Sequence, residues 1–191
     1  MTECCRCEAT GDPHYITYDN ALINFYGICK YTLTKSTLPK GDACAFDVEV
    51  KNEQRFGIEE SFIRMIDLKL NNGMFEIRLL QNSVVQMFKK DINLPYFAGN
   101  MLMIYMSEGV LMVKSPSCDI SAEWNGFDEF IFEAPDKYKN KMIGLCGNCD
   151  GKAENDVTTS AGATLVDTPD NQNVMGLSFE VPDDSDAPTK K

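Results

Sequence analysis

The sequence predicts an all-β fold, an antiparallel sandwich or open barrel with little helix. Three observations carry that prediction. Apolar and polar residues alternate over short runs, the mark of strands with one face buried. Asn-Gly pairs punctuate these runs at Asn72-Gly73 and Asn125-Gly126. Asn-Gly between alternating runs is a strong hairpin signal, because both turn residues must take φ > 0. Turn signals also recur at short intervals, as sandwiches and barrels require.

In chain order, residues 29–34 and 45–51 are two β-rich runs. Ile66, Leu68 and Leu70 alternate with Asp67, Lys69 and Asn71; beyond Asn72-Gly73, Phe75, Ile77 and Leu79 alternate with Glu76 and Arg78. Residues 101–106 and 110–114 flank Ser107-Glu108-Gly109 as a second hairpin. Ile120, Ala122 and Trp124 alternate with polar residues, and Asn125-Gly126 leads into Phe130-Ile131-Phe132. Residues 138–165 hold too many Gly, Asn and Asp for either regular state. Residues 167–173 (DTPDNQN) read as a loop. Residues 182–191 (PDDSDAPTKK) are polar and have nothing to bury, so they read as a disordered tail. Met101, Met103, Met106 and Met112 fall in the strand region. They read either as core filler or as an adaptable binding face.

Composition narrows the function. The chain has 191 residues, 43% of them hydrophobic, and a net charge of −11. That is enough chain for a real core, and it is a globular composition. The acidic balance argues against nucleic acid, whose phosphates need clustered Lys and Arg. No apolar run approaches the roughly 18 residues of a membrane-spanning helix. The first four residues show no signal peptide. There are nevertheless 8 cysteines, an even number, with three crowded at Cys4, Cys5 and Cys7. The chain is therefore expected to be a mature or excised piece of a secreted protein. The competing reading is a cytosolic protein with reduced thiols or a metal site.

The densest set of oxygen donors lies at residues 148–156. Asn148, Asp150, Asn155 and Asp156 crowd this segment, with Gly151 between them. Calcium takes six to eight hard oxygens on a compact loop. Alternate residues of an extended segment face one way, so Asn148 and Asp150 can share an ion, and Gly151 permits the reversal that returns Asn155 and Asp156. An EF-hand is excluded, because Lys152 stands at a ligand position. The plain alternative is an Asn/Asp-rich turn whose side chains bond their own backbone.

Cys146-Gly147-Asn148-Cys149 is a CxxC. It reads as a redox pair, as half of a zinc site, or as two structural disulfides with separate partners; a secreted β domain favours the last. His14 is the one imidazole, with Asp12 close by, but no nucleophile elbow accompanies it. No phosphate-binding loop and no N-x-S/T sequon are present.

Several segments acquire meaning together. They are Gly11-Asp12-Pro13-His14-Tyr15 with Thr17-Tyr18-Asp19-Asn20, then residues 25–33 (FYGICKYTL), then Phe46-Asp47-Val48 with Lys51-Asn52-Glu53 and Arg55. Trp124-Asn125-Gly126 follows, then Gly144-Leu145-Cys146-Gly147-Asn148 with Asp150-Gly151 and Asn155-Asp156, and lastly residues 175–179 (MGLSF). In this order they resemble the von Willebrand factor type D domain, in its tectorin, zonadhesin and Fc-binding mucin-like branch. The resemblance implies a β-sandwich spanning residues 7–181, after a cysteine-rich segment at 1–6 and before the tail at 182–191. It implies bound calcium, with Asp12, Asn148, Asp150, Asn155 and Asp156 as ligands and a backbone carbonyl near Ala153.

The same resemblance implies a Cys7–Cys146 disulfide. Cys29 resembles a family cysteine whose partner after residues 175–179 is missing here, Cys118 and Cys149 are additions, and so Cys29, Cys44, Cys118 and Cys149 must re-pair. Sequence leaves that pairing open, with Cys29–Cys149 and Cys44–Cys118 as the expectation. Cys4 or Cys5 is left for a link to another chain. Family members are extracellular modules and mostly not enzymes. The expected role is a secreted structural or adhesive module of matrix, mucus, coat or secretion, whose partners are other extracellular proteins or itself. The alternatives are a module that captures a growth-factor-type protein ligand and a CxxC thiol oxidoreductase.

Overall fold

Strands form where the alternation is closed by a turn that the sequence can make. The structure, a computed structural model, describes residues 4–11, 13–54 and 61–183. Asp12, Arg55, the side chain of Cys4 and the tail beyond Asp183 lie outside the described residues. In chain order the strands are β1 (Cys4–Thr10), β2 (His14–Ile16), β3 (Leu22–Asn24), β4 (Lys30–Ser36), β5 (Asp47–Gln54), β6 (Ser61–Leu70), β7 (Phe75–Leu79) and β8 (Val85–Met87). They continue with β9 (Lys90–Asp91), β10 (Tyr96–Ala98), β11 (Leu102–Ser107), β12 (Val110–Ser115), β13 (Ile120–Trp124), β14 (Glu129–Pro135) and β15 (Met142–Ile143). The α-helix α1 (Pro169–Ser178), the one among the described residues, precedes β16 (Glu180–Val181).

These strands make two 8-stranded antiparallel sheets packed as a sandwich. The first runs β10-β11-β12-β13-β14-β1-β2-β3; the second runs β15-β4-β5-β6-β7-β8-β9, with β16 also paired to β4. Both expected hairpins form. Leu70 pairs with Phe75 around Asn72 (φ 57°) and Gly73 (φ 78°). Ser107 pairs with Val110 around Glu108 (φ 50°) and Gly109 (φ 85°).

The alternation sorts side chains to the two faces. Ile66, Leu68, Leu70, Phe75, Ile77 and Leu79 are buried from the second sheet, and Ile120, Ala122, Trp124, Phe130 and Phe132 from the first. Phe46, beside β5, meets Phe132 of β14 with ring centroids 4.9 Å apart. Trp124 is fully buried and donates its indole N–H to the Leu80 carbonyl at 2.9 Å, a polar tie between the sheets. A buried indole N–H needs such a partner.

Two expectations change here. Residues 167–173 are not a loop, since α1 begins within them. Thr168 caps the helix, its hydroxyl accepting the Asn171 N–H at 3.2 Å, and Pro169 starts it. Thr at the cap and Pro at the first position are strong start signals, but the apolar stripe behind them is too sparse to announce a helix. Core filling describes Met65, Met87, Met142 and Met175, which are buried, but not Met101, Met103, Met106 and Met112. Met101 and Met106 are exposed, while Met103 and Met112 are half-buried. Met103 and Met112 occupy the outward positions of β11 and β12, between buried Leu102, Ile104, Leu111 and Val113. At the tail, Pro182 and Asp183 follow β16, and the Asp183 carboxylate pairs with Lys51 at 2.8 Å.

Candidate functional site

β1 presents Cys5 and Cys7 on its inner face, two residues apart, and both face the segment that follows β15. Cys7 bonds Cys146 and Cys5 bonds Cys149, with Cα–Cα distances of 5.7 and 5.9 Å. Cys44 bonds Cys118 near the far end of the second sheet's hairpin. The expected Cys29–Cys149 bond is therefore not formed. Cys29 is a free, half-buried thiol at the start of β4, and β1 supplies the partner to Cys149 instead. Cys5 is likewise not free for another chain. The CxxC is split between two bridges, so Cys146 and Cys149 are not a dithiol pair. Three disulfides among the described residues mark a domain that folds in an oxidising, extracellular environment.

The two bridges hold an irregular turn whose other ties run to β4 and to the loop after β2. Leu145 and Cys146 donate backbone N–H to Thr32 and Leu33, and Tyr18 donates to the Cys146 carbonyl at 3.0 Å. Gly147 has φ 75°, and a Cβ there would collide with the Asp156 carboxylate. Only glycine meets both conditions. Asp156 thus lies flat against the backbone of the turn.

Around this turn the oxygens gather. Asn148 Oδ1 accepts the Asp150 N–H at 3.2 Å. Asp150 Oδ1 accepts the Lys152 N–H at 2.9 Å, and its Oδ2 accepts from Asn155 Nδ2 at 2.8 Å. The Ala153 carbonyl accepts the Asp156 N–H at 3.3 Å within a short 3₁₀ turn, Ala153–Asn155. Asp156 is 2% exposed, and its Oδ2 accepts from the Thr17 hydroxyl. Asp19 reaches across from the loop after β2, its two oxygens accepting the Asp150 and Gly151 N–H groups at 3.0 and 2.8 Å.

Two oxygens in this set have no partner. Asn155 Oδ1 and Asp156 Oδ1 are buried and accept no hydrogen bond. Both residues line a cavity of about 260 Å³ together with Gly147 and Asn148. An orphaned buried acceptor is costly. Burial first, and then the Asp19 and Asp150 carboxylates, push Asp156 up to about 7, against the hydrogen bond from Thr17. Among the described residues no three His, Cys, Asp or Glu side chains gather as a metal cluster. The donors here mix carboxylate and amide oxygens, the set that hard cations take.

The model of the von Willebrand factor type D domain matches residues 7–163. The chain belongs to the von Willebrand factor type D domain family. It is 29% identical over 152 residues to zonadhesin of Sus scrofa, 30% over 159 to the IgGFc-binding protein of Homo sapiens, and 26% over 165 to alpha-tectorin of Mus musculus. Those alignments cover 79%, 82% and 86% of this chain but only 6%, 3% and 8% of the relatives. The chain thus matches one module of much longer proteins.

Within the type D domain the sequence-selected residues fare unequally. Asn148, Asp150, Asn155 and Asp156 do come together. Asp12 lies outside the described residues. Sequence reasoning passes over Asp19 and Thr17, although both stand in the segment Thr17-Tyr18-Asp19-Asn20 that carries the resemblance. Their signal was present, but their partners lie 132 and 139 residues away for Gly151 and Asp156. His14 serves structure, its Nδ1 donating to Asn24 Oδ1 at 2.5 Å.

Proposed function

We propose that this domain is a secreted, calcium-stabilised structural or adhesive module of an extracellular matrix, mucus, coat or secretion. The cation is held by Asn148, Asp150, Asn155 and Asp156, joined by Asp19 and, by family position, Asp12. One observation carries the reading: two buried oxygens, Asn155 Oδ1 and Asp156 Oδ1, accept no hydrogen bond, and Asp156 feels the like charges of Asp19 and Asp150. A divalent cation satisfies such oxygens and relieves the repulsion among Asp19, Asp150 and Asp156. It adds hard-oxygen coordination and charge neutralisation. The residues do the rest, with Thr17 orienting Asp156 and the Asp150 and Gly151 amides orienting Asp19.

Such an ion fastens the 148–156 loop to the loop after β2 and so orders one end of the sandwich. Ligand that binds only the folded state raises stability by mass action, about 2.7 kcal/mol at a hundredfold excess over Kd. The test is thermal unfolding of the protein in excess calcium and in chelator. A clear upward shift with calcium, lost in Asp156→Asn, supports the reading. Equal melting temperatures in the two solutions sink it.

A further inference from the structure

We propose that the Cys5–Cys149 disulfide is a positioning brace that sets the calcium affinity of the 148–156 loop, separately from its contribution to holding the fold. The inference rests on the calcium reading above. Cys149 stands between Asn148 and Asp150, two of the proposed ligands, so its Cα fixes both. It is also a non-glycine residue at φ 57°. That conformation is unfavourable for an L-residue and persists only where surroundings hold it.

What holds it is the bridge. Cys5 lies in β1, paired on one side with β14 through Ala134. Beside it, β1 also pairs with β2 through Glu8, Ala9 and Thr10. The anchor is therefore an interior strand of the first sheet. Cys7–Cys146 leaves the same face of the same strand two residues on. One bridge allows the turn to pivot about its sulfurs; two bridges from one strand fix its orientation. The left-handed step at Cys149 then aims the Asp150 and Gly151 N–H groups at Asp19, and the Asn148 amide oxygen back at Asp150. Without the second bridge the step is free to relax, and Asn148 and Asp150 lose their common aim. Supporting residues behind metal ligands typically govern affinity by roughly 10- to 100-fold.

The experiment is calcium titration of the intact chain by calorimetry, with amide exchange of the 148–156 segment measured without calcium. The variants are Cys5→Ala/Cys149→Ala and, as a bridge removed elsewhere, Cys44→Ala/Cys118→Ala. The brace predicts a loss of about tenfold or more in affinity and faster 148–156 exchange for the first pair alone. The second pair loses stability and keeps its affinity. Cys5→Ala/Cys149→Asn guards against misfolding, since asparagine tolerates the left-handed step without the tether; it too loses affinity, because the turn is left to pivot on Cys7–Cys146 alone. A parent that binds calcium, with folded Cys5/Cys149 variants within about twofold of it, overturns the brace alone. A parent that binds no calcium overturns the calcium reading and the brace together.

Discussion

At the scale of single residues, Asp156 and Asp19 carry the argument. Without a cation Asp156 is held up to about 7 by burial and by neighbouring carboxylates, whereas an unfolded Asp titrates near 3.8. Below the unfolded value both states carry the proton and the group is neutral in its effect. As pH rises to about 7 the unfolded chain releases the proton first, so the calcium-free fold loses stability across that window and keeps the full penalty above it. Calcium removes the penalty. The gain in melting temperature from excess calcium is therefore larger at about pH 8 than at about pH 5, and this difference shrinks in Asp156→Asn. An equal gain at both pH values would show that Asp156 does not face the ion. Asp19 yields a second prediction. Its carboxylate already organises the Asp150 and Gly151 amides, so Asp19→Asn weakens calcium binding more than Asp12→Asn does, as titration of the two variants will show.

At the scale of elements, the helix decides how the first sheet ends. β3 is its last strand, and an open edge presents unpaired backbone groups. Gln172 of α1 closes it: its Nε2 donates to the Leu22 carbonyl at 3.1 Å and its Oε1 accepts the Asn24 N–H at 2.9 Å. The side-chain amide thus imitates one residue of a neighbouring strand. Gln172→Ala strands both groups in a part-buried place and lowers stability by about 1–3 kcal/mol in urea unfolding. Gln172→Glu, which turns a carboxylate oxygen toward the Leu22 carbonyl and the Asp167 carboxylate that now accept from Nε2, costs at least as much as alanine. An alanine variant as stable as the parent would mean that water replaces the amide. None of this was legible in the sequence, because Gln172 and Asn24 are 148 positions apart. The hairpins were legible, since Asn72-Gly73 and the alternation around it are local facts. The Asn148, Asp150, Asn155 and Asp156 cluster was legible for the same reason. The Cys149 partner was not: Cys5 and Cys29 look equivalent until β1 is known to pass the turn with its odd-numbered residues inward.

At the scale of the whole molecule, two bridges close nearly the same loop. Cys5–Cys149 and Cys7–Cys146 span 144 and 139 residues. On the chain-entropy account a loop of that length is worth about 5 kcal/mol to the folded state. The second bridge does not repeat that sum. Once either is made, the other closes only a small ring through β1 and the 146–149 turn, worth about 2 kcal/mol on the same account. Removing one pair therefore costs about 2 kcal/mol, because the surviving bridge still ties the ends of the domain together. Removing both costs about 7 kcal/mol, more than the two single losses added. A full set of denaturant curves on Cys5→Ala/Cys149→Ala, Cys7→Ala/Cys146→Ala and the fourfold variant measures this directly. Simple additivity would mean that each bridge acts through its local packing, and the entropic account of this pair would fail. Excess loss in the fourfold variant would show redundancy in closing the chain. That redundancy is what leaves Cys5–Cys149 free to serve the loop: with Cys7–Cys146 already securing the fold, the bridge next to the oxygen cluster can be removed from a domain that still folds.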